Sequence, residues 1–174
     1  MKKTFAVILA ICYLCSFNIA HTETLYKKIK VLTKSEKKQV ECLAQNIYYE
    51  AGYEPTKGKI AVALVTLNRV HSGLYPKSIC ATMTQKIEDT CQFSWYCDDY
   101  KRVKAASYRY TKREKQVFEH ARSVALYTYM NYKNMQDVTH GALFFHTKDI
   151  TPSWQNVRVT TTIGNHIFYK KRKA

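Results

Sequence analysis

Apolar residues at Val40, Leu43, Ala44, Ile47 and Ala51 fall three and four apart, the spacing of a helix that buries one face. Ser35 can cap this helix, which is expected to run to about Tyr49 before Gly52 and Pro55 break it. Residues 56–70 are apolar on nearly every side, which predicts a second, central helix. Asn68 and Arg69 end it, and residues 71–76 form a turn-rich link. Residues 79–86 read as a short helix or extended segment. Thr111-Lys112-Arg113-Glu114 is a capping-box signature, and Val117, Phe118, Ala121, Val124, Ala125 and Thr128 mark the buried side of the helix that follows. Glu114, Glu119 and His120 read as its solvated face, where no chemistry is expected. After a loop at 131–140, strands are predicted at 142–147, 157–163 and 166–170, the last two joined by Gly164-Asn165, which suits a tight hairpin. The fold class is therefore α+β: a helical body with a small C-terminal antiparallel sheet. No internal repeat or low-complexity segment interrupts it.

One carboxylate stands inside the apolar pattern. Glu50 falls three residues after Ile47 and seven after Leu43, on the inward face of the first helix. Burial there disfavours the charged form and raises the pKa. Such a group can donate a proton near neutral pH. The structural alternative is a helix-end carboxylate satisfied by backbone or by Arg69. Asn68 and Arg69 likewise have two readings: capping with a surface ion pair, or orientation of Glu50 or of a substrate.

Composition adds a compartment and a charge. The 174 residues are enough for one domain with a real core. Residues 1–20 read as a secretory signal, with Lys2 and Lys3 ahead of an apolar run at 5–15 too short to span a bilayer comfortably. Cleavage after Ala20 is expected, and no stable membrane anchor. A basic lead-in at 21–34, the body at 35–170 and a short basic tail at 171–174 follow. Four cysteines remain after cleavage, Cys42, Cys80, Cys91 and Cys97, and an even number in an exported chain suggests two disulfides. Of the three connectivities, one pairing Cys80 with Cys91 is slightly favoured. A zinc site on these cysteines fits less well, because the mature chain has no Cys-x-x-Cys spacing. Lys and Arg number 28 against 13 Asp and Glu, a net +15, which implies an anionic partner or surface. By charge alone, envelope polymers and nucleic acid both qualify. The 14 tyrosines offer faces that can stack on sugar rings or bases, although most are expected in the core or at its edge.

The wording of the central stretch carries more. Glu50-Ala51, Glu54-Pro55, Gly58, the apolar helix 60–67 and Asn68-Arg69-Val70 follow one another. Tyr75-Pro76-Lys77-Ser78-Ile79-Cys80, Cys91-Gln92-Phe93-Ser94, Pro152-Ser153-Trp154 and Ile163-Gly164-Asn165-His166-Ile167-Phe168-Tyr169 come after them. Over roughly residues 41–170 this order resembles the SleB-type cell wall hydrolases, the spore-cortex lytic enzyme family. One departure is plain: the family usually has Arg-Gly after Glu-Ala, and this chain has Gly52-Tyr53.

The resemblance implies a fold that is lysozyme-like in broad class, and an exported, periplasmic, wall-bound or extracellular enzyme that cuts peptidoglycan between N-acetylmuramic acid and N-acetylglucosamine. It implies lytic transglycosylation with Glu50 as general acid and base, and no cofactor or metal. Peptidoglycan and anionic envelope polymers, not nucleic acid, become the expected partners of a monomer. Gln92, Phe93, Ser94, Trp95, Trp154, His166, Tyr169 and Asn68 become the substrate-binding candidates. The aromatic loop 91–99 can line a sugar cleft, or its rings can plug the core. A plain hydrolase would need a second carboxylate, with Glu54, Asp98 and Asp99 as candidates. Two other classes compete. A zinc amidase or peptidase acting on stem peptides could use His140, His146 and His166, although no His-Glu-x-x-His motif occurs. A non-enzymatic cationic envelope-binding protein would use the charge and aromatics alone.

Overall fold

The computed structural model describes residues 32–107 and 110–172. The expected signal, most of the basic lead-in and the end of the basic tail lie outside these residues. Among the described residues no helix is long and apolar enough to cross a membrane. The chain divides into two compact units, 1–37 and 38–174. The described part of the first holds a reciprocal cap: Thr33 donates to Glu36 Oε2 from both its N–H and its hydroxyl at 2.8 Å, and Glu36 N–H returns to Thr33 Oγ1 at 3.2 Å. Thr33 rather than Ser35 therefore starts helix α1, Lys34–Ala51. Ser35 falls inside the first turn, where its hydroxyl cannot cap.

The second unit is built on helix α2, Thr56–His71. Ala61, Val62, Ala63, Leu64 and Val65 have no exposed surface, as the unbroken apolar run predicts. Helix α3, Ile79–Met83, starts on a Ser78 cap. A two-strand ladder (β1, Lys86–Ile87; β2, Thr90–Cys91) and a 3₁₀ turn at Ser94–Cys97 lead into helix α4, Asp99–Ser107. Helix α5, Lys112–Asn131, opens on the predicted capping box at Thr111 and Glu114. The sheet has order β3-β5-β4 (β3, Phe144–Thr147; β4, Val157–Ile163; β5, His166–Lys171), antiparallel throughout with a bulge at Val159/Thr161. The two-residue ladder and α4 are too short or too polar to leave a periodic signal.

One sheet face packs on α2. Ala61 and Val65 meet Ala142, Ile163 and Phe168 there, with Phe145 against the same cluster. A neighbouring cluster joins Met83, Phe93, Trp95 and Ala105. The disulfides are Cys42–Cys80 and Cys91–Cys97, which corrects the favoured Cys80–Cys91 pairing. The reason lies in the packing of α3 against α1. Gln39 Oε1 accepts Cys80 N–H at 3.1 Å, which holds the two helices side by side and leaves Cys91 to its own loop.

Asn68 shows what closes α2. Its Nδ2 donates to Asp137 Oδ2 at 3.0 Å, Thr139 Oγ1 at 3.3 Å and Ala142 O at 3.2 Å, and its Oδ1 accepts from Tyr132 at 2.9 Å. The side chain fastens the approach to β3. Asn68→Ala strands several buried partners, so it is expected to cost about 1–3 kcal/mol. A lowered urea midpoint checks this, and an unchanged midpoint would show that water replaces the amide.

Candidate active site

Glu50 ends the inward face of α1 and lines a cleft of about 380 Å³. Around it stand Tyr49, Tyr53, Glu54, Lys101, Glu114 and His166. Burial raises the Glu50 pKa from 4.5 to about 7, against the opposing pull of the Arg69 and Lys101 charges. Near neutrality the carboxyl is thus divided between acid and base forms, the condition for passing a proton both ways.

Arg69 is buried beneath it. Its Nε donates to Leu143 O at 2.7 Å, and its guanidinium lies 4.8 Å from the Phe93 ring centre and 5.1 Å from that of Tyr75. Nη1 is buried with no partner. The ion is held by rings, one backbone oxygen and the field of Glu50, not by a surface pair. Tyr49 stacks on Trp95 with centroids 4.5 Å apart, and Trp95 Nε1 donates to Asn46 Oδ1 at 2.9 Å. Asn46 in turn donates to Thr66 at 3.1 Å, so the end of α1 is fixed to α2 from within the core.

The other carboxylates of the cleft are occupied. Glu54 Oε2 accepts the N–H of Asn165 at 3.0 Å, and its backbone oxygen accepts from the buried Lys59 ammonium. Glu114 pairs with Lys104 at 2.5 Å while also serving the capping box, and these bonds hold its pKa down to about 2. Asp98 caps α4 and Asp99 pairs with Arg102, and neither lines the cleft.

His166 is the binding candidate that reaches Glu50. Its ring lines the same cleft and packs edge-on to Phe145 at 5.3 Å, its Nδ1 is buried with no partner, and burial lowers its pKa, keeping it neutral at pH 7. Gln92, Phe93, Ser94, Trp95 and Asn68 do not line the cleft. Phe93 and Trp95 are 2% and 3% exposed, so these two rings fill the core beside Arg69 and Tyr49, the second of the two readings of the loop. Trp154 and Tyr169 sit on the opposite sheet face, where Tyr169 hydroxyl meets His146 Nε2 at 2.8 Å. Among the described residues no three His, Cys, Asp or Glu side chains group closely enough to hold a metal ion.

Tyr53, Tyr100, Lys101, Lys104 and Glu114 also line the cleft, and no local pattern in the sequence marks them for it. Tyr53 and Tyr100 are 72% and 74% exposed at the cleft, an arrangement suited to the flat face of a sugar. The Thr111–Glu114 capping box was legible, but the return of α5 to the end of α1 was not.

Gly164 ties the hairpin to the cleft. Its φ is +60°, and a Cβ there would stand 1.9 Å from Glu54 Oε2. Gly164→Ala is expected to cost about 1–3 kcal/mol and to displace Glu54 and His166. A lower urea midpoint together with a lower cleavage rate checks this; an unchanged rate would show that the hairpin does not position the cleft.

Known proteins share this frame. The chain is 26% identical over 132 residues to a spore cortex-lytic enzyme of Bacillus subtilis, covering 74% of this chain and 36% of that protein. It is 25% identical to the corresponding enzyme of Halalkalibacterium halodurans, covering 74% of this chain and 34% of that protein. The chain thus spans about a third of the length of the curated relatives it matches. The catalytic domain of the Bacillus cereus SleB protein superposes with a TM-score of 0.54 at 25% identity, covering 76% of this chain and 89% of that one. The catalytic domain of a germination-specific lytic transglycosylase, SleB from Bacillus anthracis, shares the fold with a TM-score of 0.54 at 24% identity, covering 80% and 98%. The sequence profile described as Cell Wall Hydrolase matches residues 53–169, which opens just past Glu50 and takes in Glu54, α2 and the whole sheet. With that match over most of the described body, and with the fold in common, the chain belongs to the cell wall hydrolase family.

Proposed function

We propose that this protein cleaves the glycan strand of peptidoglycan as a lytic transglycosylase, with Glu50 as both acid and base. The supporting observation is a carboxyl raised to about 7 in a cleft whose other acids are engaged. Protonated Glu50 gives its proton to the oxygen between N-acetylmuramic acid and N-acetylglucosamine, and the bond to the muramic anomeric carbon breaks. The muramic 6-hydroxyl oxygen then bonds that carbon, and its proton returns to the Glu50 carboxylate. Acid and base are the same group at the start and end of each turnover, so no second carboxylate is required. Tyr53 and Tyr100, exposed at the mouth of the cleft, flank the sugars.

The setting proposed is outside the cytoplasmic membrane, as a monomer, on a polymer whose acidic groups suit the net charge of +15. Mass spectrometry of fragments released from purified peptidoglycan tests the reaction. The expected products carry 1,6-anhydro muramic ends. Reducing muramic ends would replace transglycosylation by hydrolysis, and free stem peptides would replace it by amidase chemistry.

A further inference from the structure

A second cleft lies on the sheet face turned away from Glu50. Side chains alternate along a strand. Thr147 pairs with His166 on the face that meets the Glu50 cleft, while Phe144 pairs with Tyr169 on the other. Trp154 packs on Phe144, His146 and Tyr169 of that outer face, with centroids 5.5, 5.7 and 5.7 Å away, and remains 41% exposed. Beside it a cleft of about 350 Å³ is lined by Phe144, Trp154, Gln155, Asn156, Lys171 and Arg172. His166 and Lys171 mark opposite ends of β5, about 17 Å apart at about 3.3 Å per residue. The two clefts are therefore separate sites on one strand.

The chemistry of the lining is selective. An aromatic wall, two side-chain amides and two cations meet in it, and no acid does. Arg172 is fixed by its N–H to Asn156 O at 2.8 Å and by its Nε to Val157 O at 3.1 Å. Among the described residues neither Lys171 nor Arg172 has an acidic partner. A guanidinium held at Nε still presents its terminal nitrogens to a carboxylate. An aromatic face with a few convergent polar groups is also how a small-ligand site is built.

We propose that this outer cleft binds the carboxylate-bearing stem of a muramyl peptide, with Trp154 against its apolar faces and Lys171 and Arg172 on its carboxylates. The proposal rests on peptidoglycan as the substrate and adds a point at which the enzyme holds the polymer away from the bond it cuts. Phosphate-bearing envelope polymers share the negative charge but lack the amide groups that Gln155 and Asn156 can bond.

The test is an NMR titration of isotopically labelled Glu50→Gln protein, which holds the polymer without consuming it. The ligands are a muramyl peptide with free stem carboxylates, the same peptide with those carboxylates amidated, and poly(glycerol phosphate). Saturable shifts are expected at the Trp154 indole N–H and the Lys171 and Arg172 amides. Affinity should fall at least tenfold on amidation, tenfold in a Lys171→Gln, Arg172→Gln double variant, and further with added salt. Shifts confined to the Glu50 cleft, equal binding of the amidated peptide, or tighter binding of poly(glycerol phosphate) would each overturn the assignment. Product analysis of the wild-type protein is scored separately. Shifts at Trp154 without anhydro products would keep this site and discard the reaction, whereas anhydro products without shifts at Trp154 would do the reverse.

Discussion

Glu50→Gln is expected to lower glycan cleavage by roughly 10²–10⁴-fold while leaving the fold intact. The amide keeps the shape of the carboxyl and removes the transferable proton. The wild-type pH profile should carry the same signature. With the Glu50 pKa raised to about 7, the acid form falls away above neutrality and the base form falls away below it. Steady-state rates across pH 5 to 9 are expected to bend near 7 in the wild type, and the residual rate of Glu50→Gln is expected to show no such bend. An active Glu50→Gln protein with an unaltered profile would sink the assignment. So would a wild-type profile flat through neutrality, because nothing else lining the cleft has a pKa raised to that value by burial.

The same substitution is expected to stabilise the protein at alkaline pH. The sign follows from the direction of the shift. A carboxyl whose folded pKa lies above its unfolded value binds more protons in the folded state. The contribution of this one group to stability is therefore full below 4.5 and is lost as the pH rises through about 7. The interval between those values corresponds to about 3 kcal/mol, an upper figure because water reaches the cleft. Glutamine never ionises and escapes this loss. Urea unfolding should give similar midpoints for the two proteins near pH 4 and a higher midpoint for Glu50→Gln at pH 8. A gap of equal size at both pH values would mean that the carboxyl is not desolvated. The result would show that burying this carboxyl costs stability at neutral and alkaline pH, a cost that a role in proton transfer would explain.

Which parts of this arrangement could be read from the sequence follows from how local their physics is. The inward position of Glu50 rests on neighbours three and seven residues away, so the helical period alone reveals it. The Gly164-Asn165 hairpin and the Thr111 capping box are equally local, and both stand where expected. The cysteine pairing is not local: it depends on Gln39 holding Cys80 against α1, a contact 41 residues apart in sequence. The fate of the aromatic loop was equally hidden. Phe93 and Trp95 look the same in sequence whether they floor a cleft or fill a core, and the choice is made by Arg69 and Asn46 waiting beneath them. Glu114 appears as a surface residue of its own helix, and only its pairing with Lys104 brings it to the cleft.

The attachments of the sheet bear on how the molecule breathes. Asn68 and Arg69 grip the backbone at Ala142 and Leu143, ahead of β3, while Glu54 grips the turn between β4 and β5. Both grips come from α2 or the residues just before it. A fluctuation that lifts the hairpin must release Glu54, and one that frees the approach to β3 must release the end of α2. The amides of β5 and of α2 should therefore exchange with solvent deuterium as one cooperative unit, at a rate set by opening of the whole seam between sheet and helix rather than by fraying of a strand.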